Sequence, residues 1–136
     1  MVTHETHVRV RYADTDQMGY VYHARYLEYL EVGRTDLVRH LGLPYAEVEE
    51  RGILMPVIDI SIKYKQPAYY DNLLRVRTTV PEMPRASFPF EYEVFNEKDQ
   101  LVLTAELRLA FIDKERNRPV RVPEFIRVAI EEKLAD

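Results

Sequence analysis

The chain has no cysteine, so disulfide frameworks, thiolate metal sites and thiol nucleophiles are excluded at the outset. Nor does it contain an apolar run of the about 20 residues that a membrane-spanning helix needs, and no membrane insertion is expected. Its opening residues, Met1-Val2-Thr3-His4-Glu5, carry neither a basic n-region nor an apolar h-region. No signal peptide is expected, and the expected location is the cytoplasm. Basic residues number 19 against 23 acidic ones, a net charge of −4, and they are scattered rather than clustered. That balance argues against a nucleic-acid partner. Repeats, low-complexity tracts and linkers are lacking as well. The 136 residues fit one domain, expected over 1–136, with enough length for a real core.

What is present is organised around one stretch, Tyr12 to Arg34: Y-A-D-T-D-Q-M-G-Y-V-Y-H-A-R-Y-L-E-Y-L-E-V-G-R. Val8, Val10 and Tyr12 alternate with Arg9 and Arg11 as the end of a strand. Asp14-Thr15-Asp16 then breaks the pattern, because short acceptor side chains bind neighbouring backbone and favour turns. From about Tyr22 the spacing becomes helical, with Tyr22, Tyr26, Tyr29, Leu30, Gly33 and Leu37 on one row and Ala24, Leu27, Val38 and Leu41 on a second. So wide an apolar surface predicts a helix buried by the rest of the protein. Asp16 therefore stands a few residues before the start of a buried helix, whose first N–H groups lack partners and carry partial positive charge. A carbonyl oxygen resting on those groups would be polarised, and the carboxylate could attack its carbon or activate a water. That arrangement suits acyl transfer.

Downstream, Pro44 opens a short helix, Tyr45 to Arg51, which Gly52 ends. Four runs of period-two alternation follow: Val57 to Lys65, Leu73 to Val80, Phe88 to Phe95 and Leu101 to Ile112. The links between them are short, which favours antiparallel neighbours. Pro123 begins an amphipathic piece with Phe125, Ile126, Ala129, Ile130 and Leu134, a terminal helix. Five strands and one mostly apolar helix have a joint solution in which the sheet curls around the helix, an α+β architecture. Val102, Ala110, Ile112 and Phe95 fall on the nominal solvent faces of their strands, and apolar residues there point to association.

The stretch from Tyr12 to Arg34 resembles the signature of hotdog-fold acyl-CoA thioesterases, the 4-hydroxybenzoyl-CoA thioesterase and Tol-Pal-associated thioesterase group. The matching features are Tyr12, the Asp-Thr-Asp, Gly19, Val21, Tyr22-His23, Tyr26, Glu31 and Arg34. Tyr64-x-x-Pro67-Ala68-x-x-Asp71 resembles the same group's downstream motif. The resemblance implies a hotdog fold, a five-stranded antiparallel sheet wrapped around a long central helix. It implies hydrolysis of an acyl-CoA to a free acid and coenzyme A, without metal or redox cofactor. It assigns Asp16 as the catalytic carboxylate and His23 as the residue whose backbone N–H meets the thioester oxygen. Homodimers joined edge to edge, pairing into homotetramers, with active sites between subunits, are implied too. Gln17-Met18 departs from the small residues common there, which touches pocket shape.

Each residue also has a plainer reading. Asp14 and Asp16 could be a turn and a helix cap, and Asp14 is expected to shape the loop. His23 could be structural. Asp14, Asp16 and His23 as metal ligands lack any further His or Cys at ligand spacing, so no metal is expected. Glu31 and Arg34, three apart on the helix, are expected to form an ion pair. Another branch of hotdog thioesterases works with a helix Glu, which would nominate Glu28 or Glu31. Tyr12 and Tyr22 could line an acyl pocket. Lys63, Lys65, Arg75, Arg77 and Arg85 stand on outward faces or in a loop, where some could hold coenzyme A phosphates. Arg85-Ala86-Ser87 is the best local candidate. The alternatives to hydrolysis are an enoyl-CoA hydratase or dehydratase of the same fold, using Asp16 and His23 as an acid–base pair, and a non-catalytic acyl-CoA-binding module.

Overall fold

Local periodicity sets most of the element bounds in the computed structural model, which describes residues 1–135; Asp136, the last residue of the expected domain, lies outside them. The elements run β1 (Val2–Arg9), α1 (Tyr26–His40), α2 (Tyr45–Glu50), β2 (Ile53–Leu54), β3 (Val57–Tyr64) and β4 (Leu73–Val80). They continue with β5 (Ser87–Phe95), β6 (Leu101–Ala110), β7 (Ile112–Asp113), β8 (Arg118–Pro119) and α3 (Glu124–Ala135). An antiparallel five-stranded sheet, ordered β1-β4-β5-β6-β3, carries α1 on one face. The inward alternates of the central strands, Leu74, Val76, Phe88, Phe90, Tyr92, Leu103, Leu107 and Leu109 among them, are buried against the helix row Tyr26, Tyr29, Leu30, Leu37 and Val38. Ile126 and Ile130 of α3 join the same core.

Several expectations are corrected. The helix starts at Tyr26, after a 3-10 turn over His23–Arg25, and Tyr22 stays exposed because it precedes both. Of the second row, Val38 and Leu41 are buried, but Ala24 and Leu27 face outward. The sheet wraps the inner side of α1, as expected of the fold, and leaves the side that carries Leu27 and Val32 exposed. The link from β3 to β4 does not join neighbours: β3 pairs with β6 at the far edge, and β1 takes the place beside β4.

The expected outward apolar residues are mostly occupied within the chain. A register shift beside Phe95 turns Val102 into the core. Phe95 lies under the guanidinium groups of Arg75 and Arg77, at 4.6 and 5.1 Å. The expected run to Ile112 breaks after Ala110, and Ile112 pairs with Leu54 in a second sheet, β2-β7-β8, that alternation did not reveal. Within the strands and α1, exposed aliphatic side chains lie instead on β3, where Ile58 is 52% and Ile60 37% accessible, and at Leu27 and Val32.

α1 reaches the sheet at Gly33. A Cβ there would lie 2.6 Å from Thr78 Oγ1 and 2.7 Å from Val76 Cγ1, distances no side chain tolerates. Gly33→Ala is therefore expected to destabilise the fold by about 1–3 kcal/mol, the usual range for overpacking. Urea unfolding of the two proteins measures it, and equal midpoints would mean that the helix rides further from β4.

Candidate active site

After β1 the chain returns on itself in a small loop held by several backbone hydrogen bonds. Thr15 bridges Val21, the Asp16 N–H donates to Tyr20 C=O at 2.9 Å, and the Gly19 N–H donates to Asp16 C=O at 3.0 Å. Closing that turn needs a left-handed residue, and Gly19 has φ +82°. The loop is then fastened to the segment linking β3 to β4. Val21 N–H donates to Ala68 C=O at 2.9 Å, Tyr20 bridges Tyr69, and Asp71 N–H donates to Val10 C=O at 3.0 Å. Ala68 N–H donates in turn to the Tyr26 hydroxyl, 3.2 Å away in the first turn of α1. The two sequence motifs are thus two sides of one structure.

Asp14 sits beneath the loop and is 1% accessible. Its carboxylate accepts the Tyr29 hydroxyl at 2.7 Å, the Arg11 N–H at 3.0 Å and Arg11 Nη2 at 3.0 Å, while its carbonyl accepts the Tyr22 N–H at 2.8 Å. Burial opposes ionisation, but the hydrogen bonds from Tyr29 and Arg11 outweigh it and hold Asp14 below the usual carboxylate range. Burial and the bond to Asp14 push the Tyr29 phenol well up, so it stays a donor.

Asp16 is half-buried and differently held. Its Oδ1 accepts the Met18 N–H at 2.9 Å, and its Oδ2 has no partner among the described residues. Asp16 lines an open depression of about 830 Å³ together with Tyr12, Gly19 and Tyr70, whose rings, Tyr12 on Tyr70, meet edge to face at 5.7 Å. At the helix start, nothing among the described residues accepts from the His23 and Ala24 N–H groups. The His23 imidazole is exposed beside the Tyr22 ring, 4.4 Å between centroids, and makes no hydrogen bond to Asp16. Tyr12 and Asp16 therefore share a depression, whereas Tyr22 and His23 lie on the turn that follows.

Arg85 and Ser87 are elsewhere. Ser87 pairs with Ala110, at the end of the sheet where Val2 meets Val80, while the Asp16 loop leaves the end where Arg9 meets Leu73. An eight-residue strand, about 25 Å long, separates them. Arg85 is exposed, and its carbonyl accepts the Val122 N–H at 2.7 Å, which sets Arg121 beside it. Neither arginine has an ion pair among the described residues. Arg75 and Arg77 are committed: Glu5 bridges them, Asp99 takes Arg75 and Glu93 takes Arg77. The expected Glu31–Arg34 pair does not form. Arg34 turns inward, 8% accessible, and donates to the hydroxyls of Tyr45 (3.1 Å) and Tyr92 (3.3 Å), while Glu31 faces out. Burial pushes the Tyr92 phenol up to about 12 despite that cation. Helical spacing put Arg34 beside Glu31 and gave no sign of two phenols waiting in the core. No group of three or more His, Asp or Glu among the described residues could hold a metal ion.

Because the folded-state pKa of Asp14 is depressed, its stabilisation is full above its ordinary value of 3.8 and is lost as pH falls through the lowered one. Asp14→Asn removes the charge and turns an amide NH2 towards at least one donor, Arg11 Nη2, so a loss of about 1–3 kcal/mol is expected at pH 7. The gap between variant and wild type should narrow below about pH 4. Chemical denaturation at several pH values tests this, and a gap independent of pH would refute the charged pairing.

The family model described as thioesterase-like superfamily matches residues 10–130. YneP of Bacillus subtilis is 40% identical over 114 residues, 84% of this chain and 83% of that protein. The acyl-CoA thioesterase YbgC of Haemophilus influenzae is 36% identical over 124 residues, 90% of each chain. Among solved structures, a DHNA-CoA thioesterase from Staphylococcus aureus superposes with a TM-score of 0.91 at 34% identity, over 99% of this chain and 93% of that one. No helix among the described residues is long and apolar enough to cross a membrane. With its hotdog architecture and this match over nearly its whole length, the chain belongs to the thioesterase-like superfamily and is a thioester hydrolase.

Proposed function

We propose that the protein hydrolyses acyl-CoA thioesters to a carboxylic acid and coenzyme A, with Asp16 as the working carboxylate. One observation carries the assignment: of the two acids of Asp14-Thr15-Asp16, Asp14 is consumed by Arg11 and Tyr29, while Asp16 keeps an oxygen with no partner among the described residues, in an open depression. The His23 N–H, free at the start of the helix, takes the thioester oxygen, where the positive end of the dipole stabilises the charge that develops on it. Asp16 then acts in one of two ways. As nucleophile it adds to the carbonyl carbon, the C–S bond breaks, coenzyme A leaves as the thiol after taking a proton, and water opens the mixed anhydride. As general base it takes a proton from the water that attacks the same carbon, and the adduct then breaks its C–S bond and releases coenzyme A, whose sulfur takes that proton. Tyr12 and Tyr22 flank the acyl group. The hydratase reading would need Asp16 and His23 paired, and they make no hydrogen bond.

Asp16→Asn keeps size and turn chemistry but removes the charge. Folding and association should survive, and the rate should fall by at least about 10²–10⁴-fold, the range for general base action. Asp14→Asn should cost far less turnover. Release of free thiol, measured for both variants, decides: near-wild-type turnover by Asp16→Asn together with abolition by Glu31→Gln would move the carboxylate onto the helix.

The active unit is a homodimer or homotetramer joined through β3. The other free edge, β1, presents Thr3, Glu5, His7 and Arg9 to solvent, as protected edges do. β3 presents Val57, Ile58, Ile60 and Tyr64, which is an edge awaiting a partner. Two β3 strands pairing antiparallel about a two-fold axis would turn the Val57 end of one sheet to the Tyr64 end of the other. The partner's Arg85 and Ser87 would then come to the end that carries Asp16, and Arg85, with Arg121 beside it, would grip the nucleotide phosphates. Coenzyme A thioesters are cytoplasmic metabolites, which is where this reading locates the protein.

A mixture of two variants tests the arrangement. Arg85→Ala should raise KM for acyl-CoA more than it lowers kcat, and Asp16→Asn should be nearly inert. Mixed dimers with sites built in trans contain one site with both residues intact, so after subunit exchange activity with the wild-type KM should reappear. Activity that keeps the raised KM, or a monomer by light scattering, would overturn it.

A further inference from the structure

We infer that Tyr64 is a positioning residue for the carbonyl-binding turn and that the Ala24 N–H, which Tyr64 polarises, is a second donor to the thioester oxygen. The inference rests on the reading of Asp16 and the His23 turn given above. Tyr64 is the last residue of β3, paired there with Leu103 at the exposed edge. Its side chain leaves the edge and reaches the helix start. The hydroxyl donates to the His23 carbonyl at 3.3 Å, and the ring lies 5.5 Å from that of Tyr26.

The His23 carbonyl and the Ala24 N–H belong to one peptide group. A donor on that oxygen polarises the group and strengthens the N–H on its other side. It also pins the peptide plane, so that the N–H cannot rotate away. The N–H in question is one of the two at the turn with no acceptor among the described residues. At 3.3 Å the phenol bond is long for O–H···O. Charge developing on a thioester oxygen would draw on Ala24 N–H, make the His23 oxygen more negative and shorten that bond, as catalytic hydrogen bonds do when the substrate arrives. Tyr26 supports the geometry from beneath: its hydroxyl accepts Ala68 N–H, and its ring is the surface against which Tyr64 rests. Because Tyr64 stands on the one edge with apolar exposure, whatever covers β3 also fixes the donor.

Tyr64→Phe removes the hydroxyl and keeps the ring contact. kcat should fall roughly 3–10-fold, the net worth of one hydrogen bond, with KM little changed. A structural role alone would not alter the substrate's electronic state, so the second readout is vibrational. With a thioester bound to slow Asp16→Asn enzyme, its carbonyl stretch should lie below the free value, and adding Tyr64→Phe should move it back up. An unchanged kcat and an unchanged stretch would overturn the inference while leaving Asp16 untouched, as would a loss confined to KM. Wild-type turnover by Asp16→Asn would instead remove the reading of Asp16 on which the inference stands.

Discussion

The site depends on the charge at Asp14 being satisfied inside the protein. A buried carboxylate is costly unless paired and hydrogen-bonded, and this one is met from three elements at once. Arg11 comes from the segment just after β1, Tyr29 from α1, and the backbone carbonyl of Asp14 itself takes the Tyr22 N–H just before the helix. The loop between strand and helix has little choice of path once those bonds form. Its near neighbour Asp16 is consequently left on top of the loop, with its chain direction set and one oxygen without a partner among the described residues.

A second constraint comes from far along the sequence. The segment between β3 and β4 must travel from one edge of the sheet to its other half, and it does so across the end where the Asp16 loop lies. Its backbone supplies what the loop lacks: Ala68 receives Val21 N–H and gives its own N–H to Tyr26, and Asp71 adopts φ +68° to reach Val10. Buried backbone groups require partners, so a change of topology in the sheet would open the site without touching a catalytic side chain.

Elsewhere the chain keeps its charges where they do no harm. On the outer face Glu5, Arg77 and Glu93 form a ladder across three strands, and Arg75 and Arg77 cover Phe95. Exposed pairs of this kind contribute little stability, but they make the face and the β1 edge unattractive to other chains. β3 has no such protection. Arg34 is the exception inside, a cation with two phenols for company, and the hydrogen bonds from it are what let Tyr45 and Tyr92 bury their hydroxyls.

Much of this was legible in the sequence because it is local. The bounds Leu73 to Val80 could be read directly from alternation, as could α2 behind Pro44 and the row from Tyr26 to Leu37, since side-chain period follows from backbone geometry alone. The family was legible too, because its motif is a run of neighbouring residues. What periodicity cannot encode is which surfaces meet. Val102 looks outward until a register shift turns it in, Leu27 looks buried until the sheet leaves its side of the helix open, and Glu31 looks like the partner of Arg34 until Tyr45 and Tyr92 are found to take its guanidinium. The two acids of the Asp-Thr-Asp are chemically identical in the sequence. Arg11, three residues before Asp14, pairs with it locally. The separation of the two acids into a buried, bonded group and a half-free one was completed by Tyr29 on α1 and by the crossing segment that holds the loop, contacts that exist only once distant parts of the chain have come together.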